Sequence, residues 1–403
     1  MSKLEQLLAD LCPHGVEFKT LGEISTITRG NGLSKSDFAE SGVPCIHYGQ
    51  IYTYYGTFAT KTKSFVTPEL AARLQTVSKG DIIIAVTSEN IEDVCKCVAW
   101  LGDEDIVTGG HTAIVKHKQN PKYIAYWLQT EAFFEQKRKI AHGTKVIEVT
   151  PKHLEGKKIP LPPLPVQSQI VRILDNFAEL TAELTAELTA RKKQYKYYRD
   201  FLLTFEKTVR WITLGEIAMF KYGYTDTAKN KGSVRFIRIT DINENGKLLL
   251  TDCKYIDLNT DSEGYLLQKG DLLMARTGAT YGKTMLYSED TPAVYASFLI
   301  RIVFPDDEVL PSYYWHFAQS SYYWEQANKL VSKAGQPQFN ANALKNVVMP
   351  IPPIEEQERI VALLDRFDVL CTDITAGLPA EIAARQKQYE YYRDKLLTFK
   401  EVS

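Results

Sequence analysis

The chain is written twice, and no other feature restricts its possible folds as much. Thr20-Leu21-Gly22-Glu23-Ile24 returns as Thr213-Leu214-Gly215-Glu216-Ile217, and Lys79-Gly80-Asp81-Ile82-Ile83 as Lys269-Gly270-Asp271-Leu272-Leu273. Tyr123, Gln129, Glu135 and Gln136 recur 190 positions later as Tyr313, Gln319, Glu325 and Gln326. The same offset carries Pro160-Leu161-Pro162-Pro163-Leu164, with Gln167, Ile170, Val171, Leu174, Asp175 and Phe177, onto Pro350-Ile351-Pro352-Pro353-Ile354, with Gln357, Ile360, Val361, Leu364, Asp365 and Phe367. The cassette from Ala190 to Phe205 then returns from Ala384 to Phe399 with 13 of its 16 positions identical.

The repeat is uneven. The proline segment and the cassette are nearly copied, whereas residues 25 to 78 and 218 to 268 share little beyond a few apolar positions. A molecule that meets two copies of one partner and two different ligands is built in this way.

The individual parts read as strands between turns. Val43-Pro-Cys-Ile-His-Tyr and Val234-Arg-Phe-Ile-Arg-Ile are such runs, as are the segments from Asp81 and Asp271 that follow the Lys-Gly turns. Pro121 to Ile140 and Pro311 to Val331 read as helices opened by a proline. Each half is therefore expected to be an α+β domain.

The shared parts read as long helices. No glycine lies between Gly156 and Gly215 and no proline between Pro165 and Pro292, so one helix from about Val166 to about Phe205 is allowed, spanning roughly 60 Å. Its middle repeats Thr-Ala-Glu-Leu and places Leu180, Leu184 and Leu188 on one stripe. The second copy, from about Glu355 to about Phe399, carries Gly377 and Pro379 in its middle. The expected architecture is two similar α/β domains, at 1–160 and 208–350, joined by two long antiparallel, coiled-coil-like helices at 161–207 and 351–403. The internal repeat would make this arrangement pseudo-twofold. The cassettes mix bases with Tyr195, Tyr198, Tyr389 and Tyr392. That pattern suits an aromatic seam with a solvated basic face, and its duplication favours a shared docking surface.

Composition narrows the function. Lys plus Arg number 48 and Asp plus Glu 49, a net charge of -1, so no global basic field marks a nucleic-acid or membrane binder and any polyanion contact is local. Six scattered cysteines include one close pair, Cys95 and Cys97, whose single intervening residue is shorter than zinc spacing usually requires; reduced thiols of a cytoplasmic protein are expected. No apolar run has the length of a membrane span.

Catalytic patterns are missing. Gly278-Ala-Thr-Tyr-Gly282-Lys283-Thr284 has three residues between its glycines where a P-loop has four, so a tight loop holding backbone amides, Arg276, Thr277, Thr280, Tyr281 and Lys283 near a ligand is expected instead. Gly30-Asn31-Gly32 lacks the rest of a dinucleotide fingerprint, and Pro305-Asp306 lacks the Glu-x-Lys of a metal-dependent nuclease. His111, after two glycines, is the best-placed histidine and reads as a turn residue; a hydrolase built around it is one rival reading.

Two variable domains, each followed by Pro-Leu-Pro-Pro-Leu-type punctuation, a glutamine and a long helix, resemble the specificity (S) subunits of type I restriction-modification enzymes. The segments 159 to 177 and 349 to 367 carry the resemblance, with Ala275 to Lys283 as a recognition-domain loop and the Thr-Ala-Glu-Leu repeats as a type IC feature. The resemblance implies a non-catalytic DNA-recognition subunit in which each domain reads half of a bipartite, asymmetric target in double-stranded DNA. The helices would dock two methyltransferase (M) subunits, and two restriction (R) subunits can join. S-adenosylmethionine, ATP and Mg would sit on those partners and none on this chain.

Under this reading the helix middle sets half-site spacing. Twelve residues separate Phe177 from Ala190 and sixteen separate Phe367 from Ala384, a difference of one repeat unit. Four residues advance a helix by about 6 Å and about 400°, against about 3.4 Å and about 34° per base pair, so one unit corresponds to about one base pair of spacer. Base reading needs donors and acceptors. The candidates are Thr28, Arg29, Asn31, Ser34, Lys35, Tyr48, Gln50, Ser88 and Lys145 in the first domain. In the second they are Lys221, Tyr222, Tyr224, Arg238, Thr240, Asp241, Arg276, Thr277, Thr280, Tyr281, Lys283, Gln336, Gln338 and Asn340. The main rival is a coiled-coil scaffold whose end domains bind protein or peptide and have no DNA role.

Overall fold

A computed structural model describes residues 3–205, 209–332, 335–373 and 376–402. The chain forms two compact units that do not follow its linear halves. One holds Met1–Glu183 together with Ala383–Ser403, and the other holds Leu184–Ile382. Each unit thus consists of a cassette helix, an α+β domain and the helix start after the proline segment. In the first unit the cassette comes from the distant Leu378–Leu396 helix, and the following backbone bonds to the start of the domain. Val16 N donates to Lys400 O at 2.9 Å, and Val402 N to Val16 O at 3.1 Å.

Both domains are built on the same strands. In the first, the sheet order is Ser25–Arg29, Thr112–His117, Ile82–Ala85, Cys97–Trp100 and Phe58–Ala59. In the second it is Met219–Tyr222, Leu299–Val303, Leu272–Ala275 and Thr284–Leu286. The central Ile82–Ala85 and Leu272–Ala275 strands are fully buried, as continuous apolar runs should be. The repeated Lys-Gly-Asp turn feeds them: Gly80 and Gly270 sit at φ of 96° and 94°, a left-handed conformation that glycine adopts freely. Asp81 and Asp271 accept from the backbone N–H three residues earlier, at 2.9 and 2.7 Å. A smaller sheet in each unit pairs Val43–Ile46 with Ile106–Thr108, or Val234–Ile237 with Ala293–Tyr295, in parallel.

The copied motifs are fastenings. Thr20 and Glu23, like Thr213 and Glu216, form capping boxes. Gly22 and Gly215 allow close approach, since an added Cβ would lie 3.1 Å from the Cβ of Glu155 or Lys345. Gln167 and Gln357 are fully buried. Their Nε2 donates to Pro162 O or Pro352 O at 2.8 and 2.9 Å, and their Oε1 accepts from Asn120 N or Leu310 N at 3.1 and 3.0 Å. Tyr123 and Tyr313 donate to Pro160 O and Pro350 O. Gln136 and Gln326 clamp Lys158 and Val348 through paired backbone bonds.

Two helical expectations are revised. The segment from Pro121 forms helices Pro121–Trp127 and Glu131–Arg138, and that from Pro311 forms Pro311–Phe317 and Ser321–Leu330. Thr130 and Ser320 end one helix and cap the next, their hydroxyls donating to Trp127 O and Phe317 O while accepting from Phe133 N and Tyr323 N. The first long helix is continuous over Leu164–Leu202, whereas the second is two helices, Ile354–Thr372 and Leu378–Leu396. Gly377 and Pro379 fall at that break.

Helix pairing within each unit uses the tyrosines of the cassette. In the second unit Tyr195 and Tyr198 stack on Phe367 at 6.2 and 5.6 Å, and Lys192 lies beside Cys371, which makes the pair antiparallel. In the first unit Tyr392 stacks on Phe177 at 5.4 Å and Tyr389 meets Tyr126 edge-on. Tyr195 and Tyr389 are buried, while the neighbouring Tyr197 and Tyr391 remain 64% and 61% exposed. Among the described residues no helix is long and apolar enough to cross a membrane.

Candidate functional site

The candidate site is the rim where the central strands of each domain end. In the first unit Arg29 closes the Ser25–Arg29 strand. Its Nε donates to Gly110 O at 3.1 Å, and its Nη1 pairs with Glu148 Oε1 at 2.7 Å with 45% of the side chain exposed. Glu148 is held opposite Thr87 by the short ladder Ile147–Glu148 to Thr87–Ser88. Thr87 Oγ1 bonds His111 Nδ1 at 2.9 Å, Tyr52 OH donates to Thr87 O at 2.6 Å, and the Tyr48 ring lies 4.7 Å from His111. Together with Ser88 and Val146 these groups line a cleft of about 350 Å³.

Of the residues expected from the sequence, Tyr48 and Ser88 thus meet in this cleft. Arg29 is tied to the ladder that forms its wall, and exposed Lys145 adjoins Val146. Lys35 lies near His47, whose ring packs on Tyr48 at 4.5 Å. The others hold the loops. Thr28 is half-buried within the strand, Asn31 donates to Arg73 O, and exposed Ser34 bonds Ser36 through its hydroxyl and Asp37 through its backbone N–H. Gln50 is 8% exposed and fixes Ser64 and His47, so burial removes it from any surface role.

In the second unit Arg276 follows the Leu272–Ala275 strand. Its Nε donates to Ser297 O at 3.0 Å, its Nη1 faces Gln338 Oε1 at 3.5 Å, and its guanidinium lies between the rings of Tyr222 and Phe298 at 5.3 and 5.2 Å. Gln338 Nε2 in turn donates to Thr277 Oγ1 at 2.8 Å. Tyr222 OH accepts from Ala341 N, beside Asn340, which caps the short Ala341–Leu344 helix. Gln336 is exposed on the same loop. Arg276, Tyr222, Thr277, Gln338 and Asn340 therefore come together as a set.

The remaining candidates lie elsewhere in the unit. Lys221 and Tyr224 both pack on Tyr265. Arg238 grips Asp241, which is 2% exposed and buried in that pair beneath exposed Thr240. Thr277, within the Arg276 set, is 3% exposed and braces Gln338. Thr280 donates to Thr277 O, Tyr281 donates to Asn328 Oδ1, and Lys283 is half-buried. The expected display of loop amides is not found at Gly278 and Gly282, whose N–H groups donate to Pro337 O and Ala275 O.

Sequence reasoning passed over Tyr52, Thr87, Glu148 and Phe298. Glu148 stands 190 positions before Gln338, an offset that marks it as part of the repeat. Phe298 is 50% exposed and lies under the Arg276 guanidinium.

A family model described as the type I restriction modification DNA specificity domain matches residues 13–191 and 206–384, and the chain belongs to that family. A relative from Escherichia coli, the type I restriction enzyme EcoR124I/EcoR124II specificity subunit, is 37% identical over 300 residues, covering 69% of this chain and 70% of the relative. Among solved structures, the S subunit of a type I restriction-modification system from M. genitalium matches with a TM-score of 0.53 at 15% identity, over 95% and 96% of the two chains. A chain solved to explain complex assembly and conformational transition of the type I R-M system matches at 0.61 with 18% identity, over 96% and 98%. This chain is accordingly a specificity subunit, the DNA-recognising and non-catalytic component of a type I restriction-modification system.

Proposed function

We propose that each unit reads one half of a bipartite, asymmetric DNA target with its strand-end rim, and that the helices dock two methyltransferase subunits. The uneven repeat carries this reading: the fastenings and cassettes are shared, whereas the rims differ in residues. Exposed Tyr197 and Tyr391, at equivalent positions of the two cassettes, are the surface offered to two copies of one partner. On this reading S-adenosylmethionine, ATP and Mg belong to the partner subunits, the Thr-Ala-Glu-Leu unit supports a type IC-like subunit, and the complex works in the cytoplasm. The near-neutral charge fits a base reader whose partners supply much of the phosphate contact.

The test is a methylation map of DNA exposed to this chain assembled with its methyltransferase subunits, alongside gel shifts with and without those subunits at stated salt. A two-part, asymmetric methylated motif is expected. A contiguous or random pattern would overturn the reading.

A further inference from the structure

The arginines of the two rims reach one location by different routes. Arg29 faces Ala113, which faces Ile84; in the second unit Tyr222 faces Ile300, which faces Met274. Ile84 and Met274 are each three residues past the repeated Lys-Gly-Asp turn's aspartate, so they are equivalent. Arg29 therefore corresponds to Tyr222, and Arg276 corresponds to Val86 rather than to Arg29. Since Thr112 faces Ala85 and Leu299 faces Ala275, Gly110 corresponds to Ser297. Glu148 and Gln338 correspond too, each lying opposite the equivalent threonine, Thr87 or Thr277.

Despite originating on different strands, both guanidinium groups donate Nε to the same backbone carbonyl position and turn Nη1 to the same side-chain position. The location is kept while the residue that supplies it changes. In both, Nη2 has no protein partner among the described residues. With Nε held by the carbonyl and one hydrogen of Nη1 turned to the Glu148 or Gln338 position, Nη2 and the second hydrogen of Nη1 form an end-on planar fork that matches the paired O6 and N7 acceptors of guanine in the major groove.

We propose that Arg29 and Arg276 are specificity-determining residues, each reading a guanine in its own half-site. This rests on the half-site reading above. The fork's fixed position makes the function transferable between strands: Arg276→Val with Tyr222→Arg rebuilds the first unit's route in the second.

The experiment uses the assembled methyltransferase on its mapped target and on a panel with each base pair replaced. Arg276→Ala should weaken cognate binding by about ten- to a hundredfold, and should erase the preference at one G·C pair of one half-site while leaving the other half-site unchanged. Arg276→Lys should lose the same preference, because an ammonium lacks the fork. The double variant should regain both affinity and preference. Equal weakening on every sequence, with base preference intact, would mean a phosphate contact or a loop brace and overturn the proposal; so would a Lys variant that keeps the preference, or a double variant of unchanged melting temperature that fails to regain it. Should the wild-type assembly show no two-part target at all, the half-site reading fails first.

Discussion

Gln167 is the residue on which the proline segment turns. Its amide satisfies the carbonyl of Pro162 and the N–H of Asn120 inside the core, and Gln357 does the same in the other unit. Gln167→Leu leaves those groups buried and unpaired. It should cost about 3 kcal/mol and lower the melting temperature by roughly 6–12 °C, read by thermal unfolding; a change of a degree or less would contradict the assignment. A second prediction concerns His316, fully buried between Asp365 and Tyr195, where the first unit has Tyr126 bonded to Asp175. Burial holds this imidazole below its ordinary value, against the opposing pull of Asp365. An unfolded histidine ionises near pH 6.5. The stability linked to His316 is therefore complete above that pH and is lost as the pH falls toward the lowered folded value. Melting temperatures at pH 7.5 and 5.5 should differ more for the wild type than for His316→Tyr, and equal differences would refute the argument. At this scale the sequence was partly legible. Arg29 and Arg276 stood out among glycines, but their common location depends on register across strands, which local pattern does not carry. Gln50 and Asp241 looked like loop polars, and only the fold reveals that both are buried.

Among elements, the long helices show what pattern can and cannot convey. The absence of glycine and proline after Pro165 announced the Leu164–Leu202 helix, and Gly377 with Pro379 announced the break in its counterpart. The division at Thr130 and Ser320 was also written as a capping signal, but uninterrupted aromatics on both sides masked it. The tyrosine seam was legible in type but not in detail, because helical spacing does not say which tyrosine turns inward. Phe367→Ala removes the ring on which Tyr195 and Tyr198 stack. The loss should be about 2 kcal/mol, below the range for a fully buried phenylalanine since Phe367 is only partly buried. Chemical denaturation of this variant beside the wild type provides the check.

For the whole molecule, the predictions separate assembly from reading. Tyr197→Ala with Tyr391→Ala removes exposed rings that support nothing beyond their own neighbourhood. Folding should be unchanged while recruitment of methyltransferase subunits falls at least tenfold, read by co-sedimentation; normal recruitment would exclude these faces as the docking surface. Deleting Thr185 to Leu188 from the largely exposed middle of the first helix should shorten the unread spacer by about one base pair and leave both half-sites intact in a methylation footprint. Altered half-sites would show that the stretch is more than a ruler. The bond between Val16 and the backbone around Lys400 and Val402 has a temporal meaning as well. A ribosome releases the whole of Leu184–Ile382 before it makes the segment that completes the unit begun at the other end. The unit begun first is therefore completed last, and the unit translated second is the first whose parts are all available.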